Sequence, residues 1–147
     1  MLFRSLWLQA ALVLDHELEE THYMLALVYM SQHRFAAALE HAECCQMGRP
    51  DPLRLSVLGA CLAYLNRREE ALKILTTLSR MAEAGYVESH AIARLHLALG
   101  DIDQAVESIG KSLDEREPFS AFLKLDPEFD PLRTDPRFGE LISRLGL

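Results

Sequence analysis

Small residues recur in this chain at a nearly fixed interval. Ala26, Gly59 and Ala93 stand 33 and then 34 residues apart, and Ala38, Ala71 and Ala105 repeat the same two steps. Around them apolar residues follow helical spacing, and no run alternates apolar and polar residues as a half-buried strand would. Breaks fall around Asp15-His16, His33-Arg34, 48–52, Asn66-Arg67, Ala84-Gly85, Gly100-Asp101 and from Glu117 onward, leaving segments of about 12–16 residues, ordinary helix lengths. The pattern predicts an all-α chain of helix pairs. A small residue on each helix lets the two members of a pair approach, and larger apolar residues fill the seam to the next pair. Local signals set several ends. Asp51 is placed to N-cap a helix with Pro52 at its first position, Asp101 and Gln104 have the spacing of a capping box, and Gly100 supplies a left-handed residue to end the preceding helix.

In full, the repeating residues are Leu25-Ala26, Tyr29, Phe35, Ala38, Leu39 and Pro50; then Leu58-Gly59, Leu62, Ala71, Leu72 and Leu75; then Ile92-Ala93, His96, Gly100, Ala105, Val106 and Ile109. This set resembles the tetratricopeptide repeat, a helix-turn-helix unit of about 34 residues with the form W-x2-L-G-x2-Y, A-x3-F, P. The copies depart from that form where the leading aromatic is His22, Leu55 and Ser89, and where the Tyr becomes Leu62 and His96. The resemblance implies a single domain, a right-handed α-α superhelix. Residues 1–18 would be the second helix of a truncated repeat, 19–51, 52–85 and 86–118 three full repeats, and 119–147 a capping segment. Asp126-Pro127, Asp130-Pro131 and Asp135-Pro136 are three turn or helix starts in that segment. The last opens an amphipathic helix with Phe138, Leu141, Ile142 and Leu145 on one face. The stretch from Ala98 onward is also similar to a recurrent carboxy-terminal ending of bacterial tetratricopeptide proteins, in which the repeats often follow a signalling, kinase, cyclase or winged-helix domain.

Charge and composition remove several classes of function. With 22 Asp and Glu against 15 Lys and Arg, the net charge is −7. No segment gathers the basic residues, so a polyanion such as nucleic acid is a poor partner. No uncharged apolar stretch reaches the ~20 residues that cross a bilayer. Residues 1–14 imitate a signal peptide, with Arg4 ahead of an apolar run, but Asp15, His16 and Glu17 follow without a small-x-small cleavage site. Three cysteines, two of them adjacent (Cys44, Cys45), form no disulfide framework, which favours a reducing cytoplasm. No G-x-S-x-G, glycine-rich phosphate loop or H-E-x-x-H is present, so no enzyme chemistry and no cofactor are expected. His41 and Cys45, four apart with Glu40 nearby, are the one arrangement from which a metal site could be imagined, and they lack a second ligand cluster. Cys61 and the Cys44-Cys45 pair read as helix fillers, and Met24, Met30 and Met47 as core filler before binding surface. His90 and His96, six apart, face different ways, and 67–70 (Arg-Arg-Glu-Glu) reads as a solvated turn with a helix start.

The resemblance implies a site. In the family the first helices of successive repeats line a concave groove, which here would take Tyr23, Leu27, Met30 and Ser31, then Leu53, Ser56, Ala60, Ala63 and Tyr64, then Val87, His90, Arg94 and Leu97. That wall is apolar, with Arg94 its main positive charge. The paired Lys, Asn and Arg that clamp a terminal carboxylate in chaperone-binding members are absent, so the groove suits an amphipathic helix or another protein surface, unless the next helix covers it. The expected function is therefore a protein-interaction scaffold. The alternative is a regulatory or oligomerisation tail of a larger bacterial signalling enzyme or transcription regulator. A second expected surface is the amino-terminal helix, apolar all round. Leu2, Phe3, Leu6, Trp7 and Ala10 would be covered by pairing in a two-fold homodimer.

Overall fold

The structure is a computed structural model that describes residues 6, 7, 10, 19–46 and 50–146. Six helices form three successive hairpins: α1 (Glu19–Ser31) with α2 (Phe35–Cys44), α3 (Pro52–Tyr64) with α4 (Arg68–Ala84), and α5 (Ser89–Leu99) with α6 (Ile102–Asp114). Two 3-10 turns, Pro118–Phe122 and Pro127–Leu132, follow, and a last helix α7 (Pro136–Ser143) packs on α6. There is no strand among the described residues. The fold is an all-α helical repeat.

The hairpin turns repeat as faithfully as the helices. At the end of α1, Arg34 N donates to Tyr29 O at 2.9 Å and His33 N to Met30 O at 2.9 Å. Arg67 N to Leu62 O (2.8 Å) with Asn66 N to Ala63 O (3.0 Å) closes α3, and Asp101 N to His96 O (2.9 Å) with Gly100 N to Leu97 O (3.0 Å) closes α5. This double closure needs a left-handed residue just past the helix, and His33, Asn66 and Gly100 supply it with φ of 57°, 62° and 82°. The end of α6 uses the same device, with Arg116 at φ 54°. Helix starts vary more. Asp51 Oδ1 accepts from Arg54 N at 3.0 Å and Asp135 Oδ1 from Arg137 N at 2.9 Å, each before a proline at the first position. The capping box expected of Asp101 and Gln104 does not form: Asp101 makes no side-chain cap, and the Gln104 amide reaches Glu107 at 3.4 Å instead.

The spaced small residues lie where helices meet. Ala26, Ala38, Ala71, Ala93 and Ala105 are fully buried. At Gly59 a Cβ would come within 3.0 Å of both Leu95 methyls and 3.1 Å of Ile74 Cγ2, so this glycine sets how closely α3 approaches α5 and α4. One apolar cluster joins α1 to α4 and reaches Leu95 and Leu99. A second joins α5 and α6 to the carboxy-terminal segment, which inserts Leu123, Phe129, Leu132 and Phe138. Among the described residues, Phe129 is the largest fully buried side chain. The segment after α6 therefore belongs to the core.

Non-glycine residues at positive φ cost stability that glycine does not. Replacing exposed Arg116 by Gly is expected to raise stability by about 0.5–1 kcal/mol, while Gly100→Ala, at an equivalent turn position, lowers it by about 1 kcal/mol. Urea midpoints of the two variants check this. Changes of equal sign would reject the turn geometry.

Candidate functional site

A groove opens because successive first helices do not pack alike. Close approach at Gly59 seats α3 along α5, whereas α1 meets α3 only sparingly. The cleft beside α1 is an open cavity of about 770 Å³, and residues 118–131 fold back to form its far wall. Leu27, Met24 and Tyr23 line it from α1, Leu53 and Tyr64 from α3, His90 and Arg94 from α5. Two stacked ring pairs belong to the wall: Tyr64 on Phe35 at 4.3 Å and His90 on Phe119 at 4.1 Å between centroids. Burial pushes the Tyr64 phenol up to about 12 and raises that of Tyr23, so both present neutral rings.

Of the groove residues expected from the sequence, Tyr23, Leu27, Met30, Ser31, Leu53, Tyr64, His90 and Arg94 line the cavity together, while Ala63 and Val87 do not. Ser56, Ala60 and Leu97 are buried in the packing behind it. The wall from the carboxy-terminal segment, including Phe119, Phe122 and Leu125, was missing from that reading. Its only signal in the sequence is the series of Asp-Pro steps, which marks turns without saying where they lead.

Arg94 does not serve as a free positive charge. It is 3% exposed, its Nε lies 2.8 and 2.9 Å from the two Glu128 carboxylate oxygens, and one terminal nitrogen donates to Ser56 Oγ at 2.8 Å. Ser56 Oγ in turn donates to Leu53 O at 2.7 Å. A charge removed from water needs such a partner. Burial raises the Glu128 carboxyl against the opposing pull of Arg94. The pair ties the turn carrying Glu128 to α5 and, through Ser56, to α3.

A second buried carboxylate holds the other end of that segment. Glu117 accepts from His90 N at 3.2 Å, from Ser112 Oγ at 2.6 Å, from Tyr86 Oη at 3.1 Å and, at 2.5 Å, from Ser89 N, so it satisfies the free amides at the start of α5 from outside the helix. Burial opposes ionisation, but these hydrogen bonds together hold the carboxyl below its ordinary range. His90 Nδ1 lies 3.3 Å from the same carboxylate. Desolvation, aided by Arg94 and resisted by Glu117, lowers the imidazole to about 4. It is neutral at pH 7.

Residues 89–118, which span α5, α6 and the turn into the carboxy-terminal segment, match the family model of the tetratricopeptide repeat. Residues 89–118 are a tetratricopeptide repeat. No curated protein and no solved structure matches the chain significantly. Such repeats are modules of protein–protein interaction and are typically non-catalytic. No helix among the described residues is long and apolar enough to cross a membrane.

Most of the other side chains singled out in the sequence lie away from the groove. His41 Nδ1 meets His22 Nδ1 at 2.9 Å and stacks on Tyr29, while the Cys45 thiol donates to the carbonyls of His41 and Glu19 at 3.2 and 3.4 Å. No group of three metal-ligating side chains gathers among the described residues. Burial pushes the Cys61 thiol up to about 12 and that of Cys45 up to about 11. Arg67 pairs with Glu70 at 2.7 Å, and Arg68 donates to Leu99 O at 2.8 Å, so the basic pair at the start of α4 is split between solvent and the end of α5. Met24 and Met30 line the cavity, and Met47 lies outside the described residues. Of the amino-terminal residues, Leu6, Trp7 and Ala10 are helical and exposed, Trp7 to 73%. Leu2 and Phe3 lie outside the described residues.

Removing one partner of a buried pair strands the other charge. Arg94→Met is therefore expected to cost about 3–5 kcal/mol, and Arg94→Met with Glu128→Leu to recover most of that loss. A double-mutant cycle by chemical denaturation measures it, and additive costs would mean that the two residues are not coupled. The histidine predicts a pH dependence. Its folded value lies below the ordinary ~6.5, so the folded state excludes the proton. The stability it confers is complete above pH ~6.5 and is lost as pH falls toward 4, by on the order of 3 kcal/mol. His41 and His96 are lowered too and act in the same direction. Melting temperatures between pH 7.5 and 4 should fall less steeply for His90→Phe, which keeps a ring against Phe119, than for the unaltered chain.

Proposed function

We propose that the protein is an interaction scaffold that holds a segment of a partner protein in the groove between α1 and the carboxy-terminal segment. The observation that carries this reading is the open, largely apolar cavity of about 770 Å³, within the range of pockets that bury a ligand. Several of its polar side chains are already engaged: Arg94 with Glu128 and Ser56, and Ser31 Oγ with Val28 O. An occupant would therefore gain from burying apolar surface, at about 25 cal/mol per Å², without first breaking internal hydrogen bonds. Leu27 is half-buried in the fold and faces the cavity, so it is the anchor contact to probe.

Peptides selected from a random library on the unaltered protein should lose at least tenfold in affinity, about 1.4 kcal/mol, on Leu27→Asp. They should bind normally to Leu72→Asp, which alters an exposed apolar side chain of α4 that does not line the groove. Titration calorimetry with circular dichroism of each variant provides the measurement. Loss on the α4 variant alone would place the binding face elsewhere.

A further inference from the structure

We infer that the groove accepts a basic amphipathic helix, its apolar face against Leu27, Tyr64 and Phe122 and its flanking Lys or Arg residues against Glu88 and Asp126. The inference rests on the reading of the groove as a binding site and adds the chemistry of the occupant. Charge is the first argument. The carboxylates lining the cavity are Glu88, Asp126, Glu128 and Asp130, while its one Lys or Arg is Arg94. Glu128 consumes Arg94, and Arg133 pairs with Asp130 at 2.6 Å. Glu88 and Asp126 have no Lys or Arg within ion-pair distance among the described residues; Glu88 Oε2 lies 3.5 Å from His90 Nδ1, whose imidazole is neutral. The rim is thus left net negative. Burial first, and then the nearby charges of Glu117 and Asp51, raise the Glu88 carboxyl against the opposing pull of Arg94. A cation on the occupant would relieve this repulsion.

Backbone chemistry is the second argument. An extended peptide brings unpaired N–H and C=O groups and needs a sheet edge or polar side chains to meet them. The described residues contain no strand, and the groove's buried polar groups are taken. A helix satisfies its own backbone and offers apolar side chains at i, i+3 or i+4. The cavity, about 770 Å³, has room for more than one such side chain. Phe122 and Leu125, 59% and 76% exposed at the lip, extend the apolar surface beyond the cavity.

The experiment uses the full chain and three fluorescein-labelled peptides of about 18 residues, long enough to be helical when supported. One carries Leu and Phe along a single face with Lys on both flanks, the second has Glu for every Lys, and the third has the composition of the first with its apolar stripe scrambled. Anisotropy titrations should give the Lys-flanked peptide at least a tenfold tighter Kd than either of the others. Glu88→Gln with Asp126→Asn, which keeps the capping oxygen at position 126, should erase most of that preference. Glu83→Gln with Glu140→Gln, outside the groove, should leave it intact. Equal binding of the Lys and Glu peptides, both weakened by Leu27→Asp, would overturn the charge inference and spare the groove. Loss of preference on the Glu83 and Glu140 variant as well would reduce it to net charge and overturn the inference. Binding of none of the three at millimolar peptide would reject the groove reading along with it.

Discussion

A guanidinium that has lost its water must be neutralised, and much of this molecule is organised around that requirement at Arg94. The residue sits in the middle of α5, where neither its own hairpin nor its neighbours supply a carboxylate. Glu128 arrives from 34 positions later, on a 3-10 turn whose start is fixed by Asp126 accepting from Glu128 N at 2.9 Å. To reach it the chain must leave α6, cross the open side of the helix layer and return. Glu117 fixes the departure by binding the free amides of α5. Phe129 and Leu132 follow Glu128 into the core as the turn closes. Two carboxylates, one at each end of the crossing, thus hold the segment that walls the groove beside the helices.

The helices themselves were legible because their determinants are local. A period of 33 and 34 in small residues, the left-handed position at Gly100 and the Asp-Pro starts at 51 and 135 each act within a few residues of where they are read. Left-handed turns at His33 and Asn66 were visible as breaks although neither is glycine; short polar and ring side chains tolerate that conformation better than branched ones. Asp101 and Gln104 show the limit of this local reading. Their spacing suits a capping box, yet Asp101 closes α5 through its backbone N–H and is not positioned to cap α6 as well.

Part of the site was hidden for the opposite reason. Tyr23, Leu27, Tyr64 and His90 follow from helix phase, and they line one cavity. Arg94 reads from the sequence as the main positive charge of the wall; its pairing with Glu128 is not legible there, because an ion pair across 34 residues leaves no periodic trace. Ser56, Ala60 and Leu97 share the phase of the wall yet sit behind it. The tight approach of α3 to α5 at Gly59 turns their side of the helices into core. The far wall, from Pro118 to Pro131, could not be located by counting turns, since 3-10 segments and proline steps carry no helical face to extrapolate.

This division of labour separates what holds the fold from what a partner in the proposed groove would meet. Arg94, Glu117 and Phe129 are buried, and Glu128, largely enclosed, pairs with Arg94, so altering any of them acts first on stability. Leu27 and Tyr64 are half-buried, while Phe122 and Leu125 are exposed and contribute little to the core. Large apolar side chains held at a rim gain nothing from water and raise the tendency to associate. Their favourable contribution becomes available only when something covers them. The same holds for the unpaired carboxylates of Glu88 and Asp126, whose repulsion weakens when a cation approaches. Apolar burial in the cavity would then govern how long a partner stays, and rim charge how quickly it arrives and in which register. The crossing segment joins these roles in one stretch of chain: Glu128 and Phe129 face the fold, Phe122 and Leu125 face outward. A change in the outward pair can retune recognition while the buried pair continues to hold the wall in place.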